Sequence, residues 1–163
     1  MNRITAPQKE IIKRTFALME KDAVKNALIM LVKLFSEHPR YKNVWPQFRA
    51  IPDSALMHAV ELKRHASVYM AGLAKIIEAM DDDTALAEQL KRIARAHIKW
   101  NIHKTHIMHM LEPVLEVVAL SNGITVLDNA TKDAWTTLYD VIANLIYYFK
   151  DIERRDSLSK ASM

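Results

Sequence analysis

The chain has no cysteine among its 163 residues. That excludes disulfides, thiolate catalysis and cysteine-based metal sites, and leaves histidine, methionine and carboxylate as the available metal ligands. Any redox chemistry therefore has to come from a bound cofactor. Glycine is scarce too, with only Gly72 and Gly123, and the β-branched alternation of strands is nowhere sustained. Half of the residues are hydrophobic, so the composition specifies an all-α chain. The opening segment MNRITAPQKE lacks the apolar core of a signal peptide, and no apolar run approaches the roughly 20 residues that span a bilayer. The expectation is a cytoplasmic protein with no membrane span. Charge of a single sign is also missing, because 23 basic residues interleave with 19 acidic ones. The net charge of +4 thus reads as a mixed, solvated surface, not as the basic stripe of a nucleic-acid binder.

The length fits one domain with a real core, and the helix punctuation is regular. Thr5 and Pro7 open a helix from about Ala6 to Lys21, with Ile12, Phe16 and Met19 inward. Asp22 caps a second helix to about Glu37, carrying Val24, Leu28, Leu31 and Phe35 on one face and ended by Pro39. A short turn follows in HPRYKNVWPQFRAIPDS, where three prolines with Trp45 and Phe48 make an irregular corner. Asp53 and Ser54 begin a long helix to about Met80. Asp81, Asp82 and Asp83 close it and start the next, about Thr84 to Trp100, through charge that is favourable at a helix N-terminus.

A helix from roughly His103 to Leu120 turns Ile107, Leu111, Val114 and Val118 inward, and Pro113 either bends it or marks its true beginning. Ser121, Asn122 and Gly123 form a turn. Asp128 or Asn129 then starts a last helix with Trp135, Leu138, Ile142, Leu145 and Phe149 as its buried stripe. The domain is expected over residues 1–155, with a polar, frayed tail at 156–163.

Two histidines stand out. His65 shares a helical face with Leu62, Tyr69, Leu73 and Ile76, and His97 shares one with Leu86, Leu90 and Ile93. A single histidine on an apolar face is ordinarily a hydrogen-bonded core residue. Two of them directed into one core suit a metal or a haem iron. Helical spacing also brings the carbonyl of Ile93 within reach of the His97 ring nitrogen that would not bind metal. His103, His106 and His109 follow at three-residue steps and could bind zinc, but that spacing drifts by about 60° per step with no fourth ligand nearby. They are expected to line a solvated groove. Methionines such as Met30, Met70, Met108 and Met110 read as fillers of a helical core.

Three stretches together resemble the globin family. LVKLFSEHPRYKNVWPQF is similar to the region around the first corner, LKRHASVYMAGL to the helix with the distal histidine, and LKRIARAH to the helix that ends at the proximal histidine. They occur in the right order, and the resemblance runs from about Thr5 to Arg155, nearest to invertebrate, nematode-type and neuroglobin-like chains. It implies a globin fold of seven to eight helices around one haem b, with His97 as proximal iron ligand and His65 as distal histidine. It places Leu31 and Tyr69 on the distal side, Trp45 and Phe48 at the corner, Ile93 below the ring, Leu111 on an inward face, and His103 or Lys104 beside a propionate, with Arg49, Lys63 and Arg64 as further propionate partners.

Two residues depart from the family pattern. Trp45 stands where phenylalanine is usual, and Tyr69 stands where a small aliphatic residue leaves room for gas. Tyr69 is either a hydrogen-bonding group of the pocket or a core residue whose hydroxyl reaches a partner. Leu31 offers no donor to bound oxygen, so the resemblance points to a six-coordinate haem gripped by both histidines. The implied role is redox or oxygen sensing, signalling or electron transfer, without enzymatic turnover. Oxygen or another diatomic gas would be the external ligand, and an electron donor, acceptor or signalling protein the partner. The alternatives are reversible oxygen storage or transport, with His65 only hydrogen-bonding the gas, and a haem enzyme such as a nitric oxide dioxygenase, nitrite reductase or peroxidase. A haemless helical regulator comes last.

Overall fold

The computed structural model describes residues 3–98 and 100–163. These form eight α-helices and two short 3₁₀ turns, with no strand among them. Helix α1 (Ala6–Glu20) starts in a capping box, in which the Gln8 backbone N–H donates to Thr5 Oγ1 at 3.3 Å and the Thr5 N–H donates to Gln8 Oε1 at 3.0 Å. Helix α2 (Ala23–Glu37) buries Leu28, Leu31 and Phe35 as its periodicity predicts, whereas Val24 in its first turn is exposed. The buried Asn26 amide donates to the Met19 carbonyl at 2.8 Å, satisfying one of the open acceptors at the end of α1.

The chain then passes through a 3₁₀ turn (Pro39–Val44), the four-residue α3 (Pro46–Arg49) and a second 3₁₀ turn (Asp53–His58) before α4 (Val60–Glu78). The single helix expected from Asp53 to Met80 is therefore interrupted, with Ala59 extended at φ −72° and ψ 127°. Alanine favours helix, so the break answers to packing. Leu56 is buried from the 3₁₀ turn, and α4 leaves on a new axis.

Asp82 starts α5 (Asp83–Ile98) by accepting from the Thr84 and Ala85 N–H groups at 2.9 and 3.1 Å. Asp81 instead pairs with Lys13 at 2.5 Å and Lys9 at 3.6 Å, tying this corner to α1. The end expected for α5 at Trp100 runs across residue 99, which lies outside the described residues. The next expected helix is two, α6 (Lys104–His109) and α7 (Leu111–Ser121), separated at Met110. Pro113 thereby falls in the first turn of α7, where its missing N–H breaks no bond, and it marks a beginning, not a bend. Gly123 ends α7 at φ +68°, a conformation glycine adopts without penalty.

Asp128 caps α8 (Asn129–Ala161), accepting from the Thr131 N–H at 2.7 Å. This helix continues to Ala161, so the segment expected to be frayed is helical and exposed.

Helix α8 packs against α1, α5, α6 and α7, and α2 packs against α4 and α7. Trp135 of α8 is fully buried, lies against Phe16 and donates from Nε1 to Thr15 Oγ1 at 2.9 Å. The two ends of the chain are thus joined through one satisfied indole. No described helix is long and apolar enough to cross a membrane.

Candidate functional site

Between α4 and α5 lies a cavity of about 520 Å³, floored by α8 and walled on one side by α2 and the Pro39–Val44 turn. Its size falls in the range of about 300–1,000 Å³ typical of cofactor sites. The wall is mostly aliphatic, with Leu31 and Leu34 from α2, Leu73 and Ile76 from α4, Ile93 from α5, Ile102, Ile107 and Met110 from the α6 region, and Ile142 and Ile146 from α8. The polar exceptions are His65, His97, His106, Tyr41, Tyr69 and Tyr139, together with two cations, Lys75 and Arg92.

Both singled-out histidines are on this wall, His65 from α4 and His97 from the last turn of α5. His97 Nδ1 lies 2.7 Å from the Ile93 carbonyl oxygen. A carbonyl can only accept, so Nδ1 carries a proton and Nε2 is the ring nitrogen left to face the cavity. The imidazole is thus oriented and poised as a ligand. His65 stands edge-on to Trp45 and Phe48, with ring centroids 5.3 and 5.7 Å away. Burial, reinforced by the facing His97, holds His65 below its ordinary value, so it is neutral near pH 7.

Tyr69 does not stand alone in the pocket. Its hydroxyl meets that of Tyr139 on α8 at 2.5 Å, and burial pushes it up to about 12. The phenol stays protonated at neutral pH.

Gly72 is on the same wall, and a Cβ built there would meet no protein atom within 4 Å. A mid-helix glycine costs stability, and no neighbouring protein group requires this one. The open space beside it belongs to whatever fills the cavity.

Of the residues picked from sequence, Leu31, Trp45, His65, Tyr69, Ile93 and His97 share this wall. Phe48 is fully buried behind it, packed on His65, Trp45 and Phe35. Leu111, beyond the break at Met110, and His103, at the N-cap of α6, are off the wall, while Ile102, His106, Ile107 and Met110 line it. The expected propionate partners are placed elsewhere as well. Lys104 pairs with Asp140 at 3.7 Å and Asn144 at 2.5 Å, Arg49 donates to the Asn43 carbonyl at 2.7 Å, and Lys63 and Arg64 do not line the cavity. Sequence reasoning missed Lys75, Arg92 and Tyr139. The first two differ in no way from other surface cations until the fold places them at a rim. Tyr139 sits one residue off the stripe that was read for α8. Among the described residues, no group of three or more histidines and carboxylates is placed to hold a metal.

An all-helical chain whose α4 and α5 face each other across an apolar slot, each with one inward imidazole, has the architecture of a haem-binding globin. The Globin family model matches residues 29–146, and the chain belongs to that family. A globin from the snail Nerita albicilla is 25% identical over 146 residues, covering 90% of this chain and 92% of that one. Among solved structures, haemoglobin from the botfly Gasterophilus intestinalis superposes with a TM-score of 0.81 at 19% identity, over 93% of this chain and 99% of that one. A hexa-coordinate haemoglobin from Drosophila melanogaster superposes with a TM-score of 0.78 at 20% identity, over 88% and 93% of the two chains.

The donor set fits the family's cofactor. An aliphatic slot, two imidazoles on facing helices and a helix surface left bare at Gly72 are what a flat iron porphyrin requires.

Proposed function

We propose that the chain holds haem b through His97 Nε2 and that His65 occupies the opposite axial position in the resting protein. The observation that carries this reading is the pairing of two imidazoles on one apolar wall, one of them fixed through Nδ1 to the Ile93 carbonyl. Lys75 and Arg92 make no ion pair among the described residues, and as the two cations on the wall they are the partners for the propionates. When bound, the haem supplies the iron at which gases bind and electrons are exchanged. The residues around it orient the ligand imidazole, exclude water and limit access.

An internal ligand competes with every external one. If the open form is populated at about 1%, apparent gas affinity falls roughly 100-fold, or about 2.7 kcal/mol. Storage is poorly served by such a site, whereas redox or oxygen sensing, signalling or electron transfer is well served. The hexa-coordinate haemoglobin among the structural relatives lends support to this reading.

The test is an absorption spectrum of the ferrous protein under argon. A low-spin, six-coordinate spectrum is expected. His65→Ala should convert it to a five-coordinate form with gas affinity raised about 100-fold, and His97→Ala should abolish stable haem uptake. A five-coordinate spectrum in the unaltered protein would overturn the axial role of His65 and favour reversible oxygen binding.

A further inference from the structure

One cluster at the cavity edge is left unused by this reading. Tyr41, from the Pro39–Val44 turn, has its ring on the cavity wall, while its hydroxyl lies 2.5 Å from Nδ1 of His109 on α6, a residue that does not line the cavity. His109 is stacked on His38 with centroids 4.1 Å apart and an interplanar angle of 12°. His106 packs on the Tyr41 ring at 4.7 Å, and its Nδ1 accepts the His103 backbone N–H at 2.9 Å. His103 is exposed and His38 half-buried, so a line of rings runs from cavity to solvent.

We propose that Tyr41 is a redox-active relay, carrying single electrons from an external reductant to a haem that has been oxidised by a hydroperoxide, with His109 holding the phenolic proton meanwhile.

A phenol gives up an electron readily only if its proton leaves in the same event, because the cation radical left otherwise is strongly acidic. Burial raises Tyr41 above its ordinary value and thereby disfavours prior loss of the proton as phenolate. Burial, with His38 adding, lowers His109 and favours its neutral form, and the tautomer protonated on Nε2 presents the Nδ1 lone pair to the Tyr41 hydroxyl. In the step itself the Oη–H bond of Tyr41 breaks, its electron goes to the oxidised haem, and its proton goes to His109 Nδ1, leaving a neutral tyrosyl radical beside an imidazolium. A one-electron reductant such as ascorbate then restores the phenol, with the proton returning from His109. Two such turns supply the two electrons in the reduction of ROOH with two protons to ROH and water. Tyr69 is unsuited to this work, since its hydroxyl faces another phenol, which is a poor base.

The inference rests on haem being bound, and the experiment separates the two claims. Haem-loaded ferric protein, with uptake read from its Soret band, is mixed with equimolar hydrogen peroxide and freeze-quenched for electron paramagnetic resonance. A tyrosyl signal is expected in the unaltered protein and in Tyr147→Phe and Tyr148→Phe, which change exposed rings on α8. It should vanish in Tyr41→Phe, with Soret and circular dichroism spectra unchanged. His109→Gln should slow ascorbate-driven return to the resting state roughly tenfold or more and alter its pH profile, as loss of a proton acceptor does. An undiminished tyrosyl signal in Tyr41→Phe, or unchanged kinetics in His109→Gln, overturns the relay while leaving haem binding intact. Absence of a Soret band overturns both.

Discussion

A single proton position decides what several residues here can do. His97 can present Nε2 to the cavity because the Ile93 carbonyl fixes a proton on Nδ1, and Tyr69 keeps its proton on oxygen because it is buried. His106 and His109 are subject to the same logic with a consequence for stability. Burial lowers both, with the neighbouring imidazoles His103, His109 and His38 and the Lys150 ammonium adding to the effect. Their folded-state values thus lie below the ordinary histidine value that applies in the unfolded chain. The unfolded chain binds more protons in that interval, so stability is full above the ordinary value and is lost as pH falls through the lowered ones. Melting temperatures of the protein between about pH 7.5 and about pH 5 should decline, and His109→Gln should flatten the slope. An equal slope in the variant would assign the acid sensitivity elsewhere.

At the scale of the element, α4 shows where local preference yields to the site. Gly72 lowers the helix's own stability, and Gly72→Ala should raise the stability of the haem-free protein by about 0.5–1 kcal/mol in chemical denaturation. Gly72→Leu should leave the haem-free fold intact but weaken haem uptake in a Soret titration, because its side chain enters the space found open beside that backbone.

The helix faces were legible in the sequence because burial repeats with the helical period. Phe16, Leu31, Leu62, Leu73, Leu90, Val114 and Leu138 are all buried, and the two inward imidazoles were legible with them. The start of α7 just beyond Met110 was one of the two outcomes that Pro113 offered. The interruption at Ala59 was not legible, because alanine favours helix and the break answers to packing around the buried Leu56. For the same reason the histidines of α6 read as a surface series, whereas the fold brings His38 and Tyr41 to them.

Over the whole molecule, a slot of about 520 Å³ with an apolar wall is a debt of packing that only the cofactor can settle. Binding to the folded state alone stabilises it by about 2.7 kcal/mol when free ligand is at 100 times its dissociation constant. Extraction of haem should therefore lower the thermal midpoint and reduce helical circular dichroism. An unchanged midpoint would mean that the slot closes by itself.

Helix α8, 33 residues long, extends for about 50 Å at the usual rise per residue. It brings Tyr139, Ile142 and Ile146 to the cavity floor and Trp135 to the indole contact with α1. During synthesis on the ribosome both imidazoles emerge before any of these. A nascent chain that has reached only Gly123 displays both imidazoles without a base to the crevice, so capture of the porphyrin must wait until α8 has left the exit tunnel as far as Ile146.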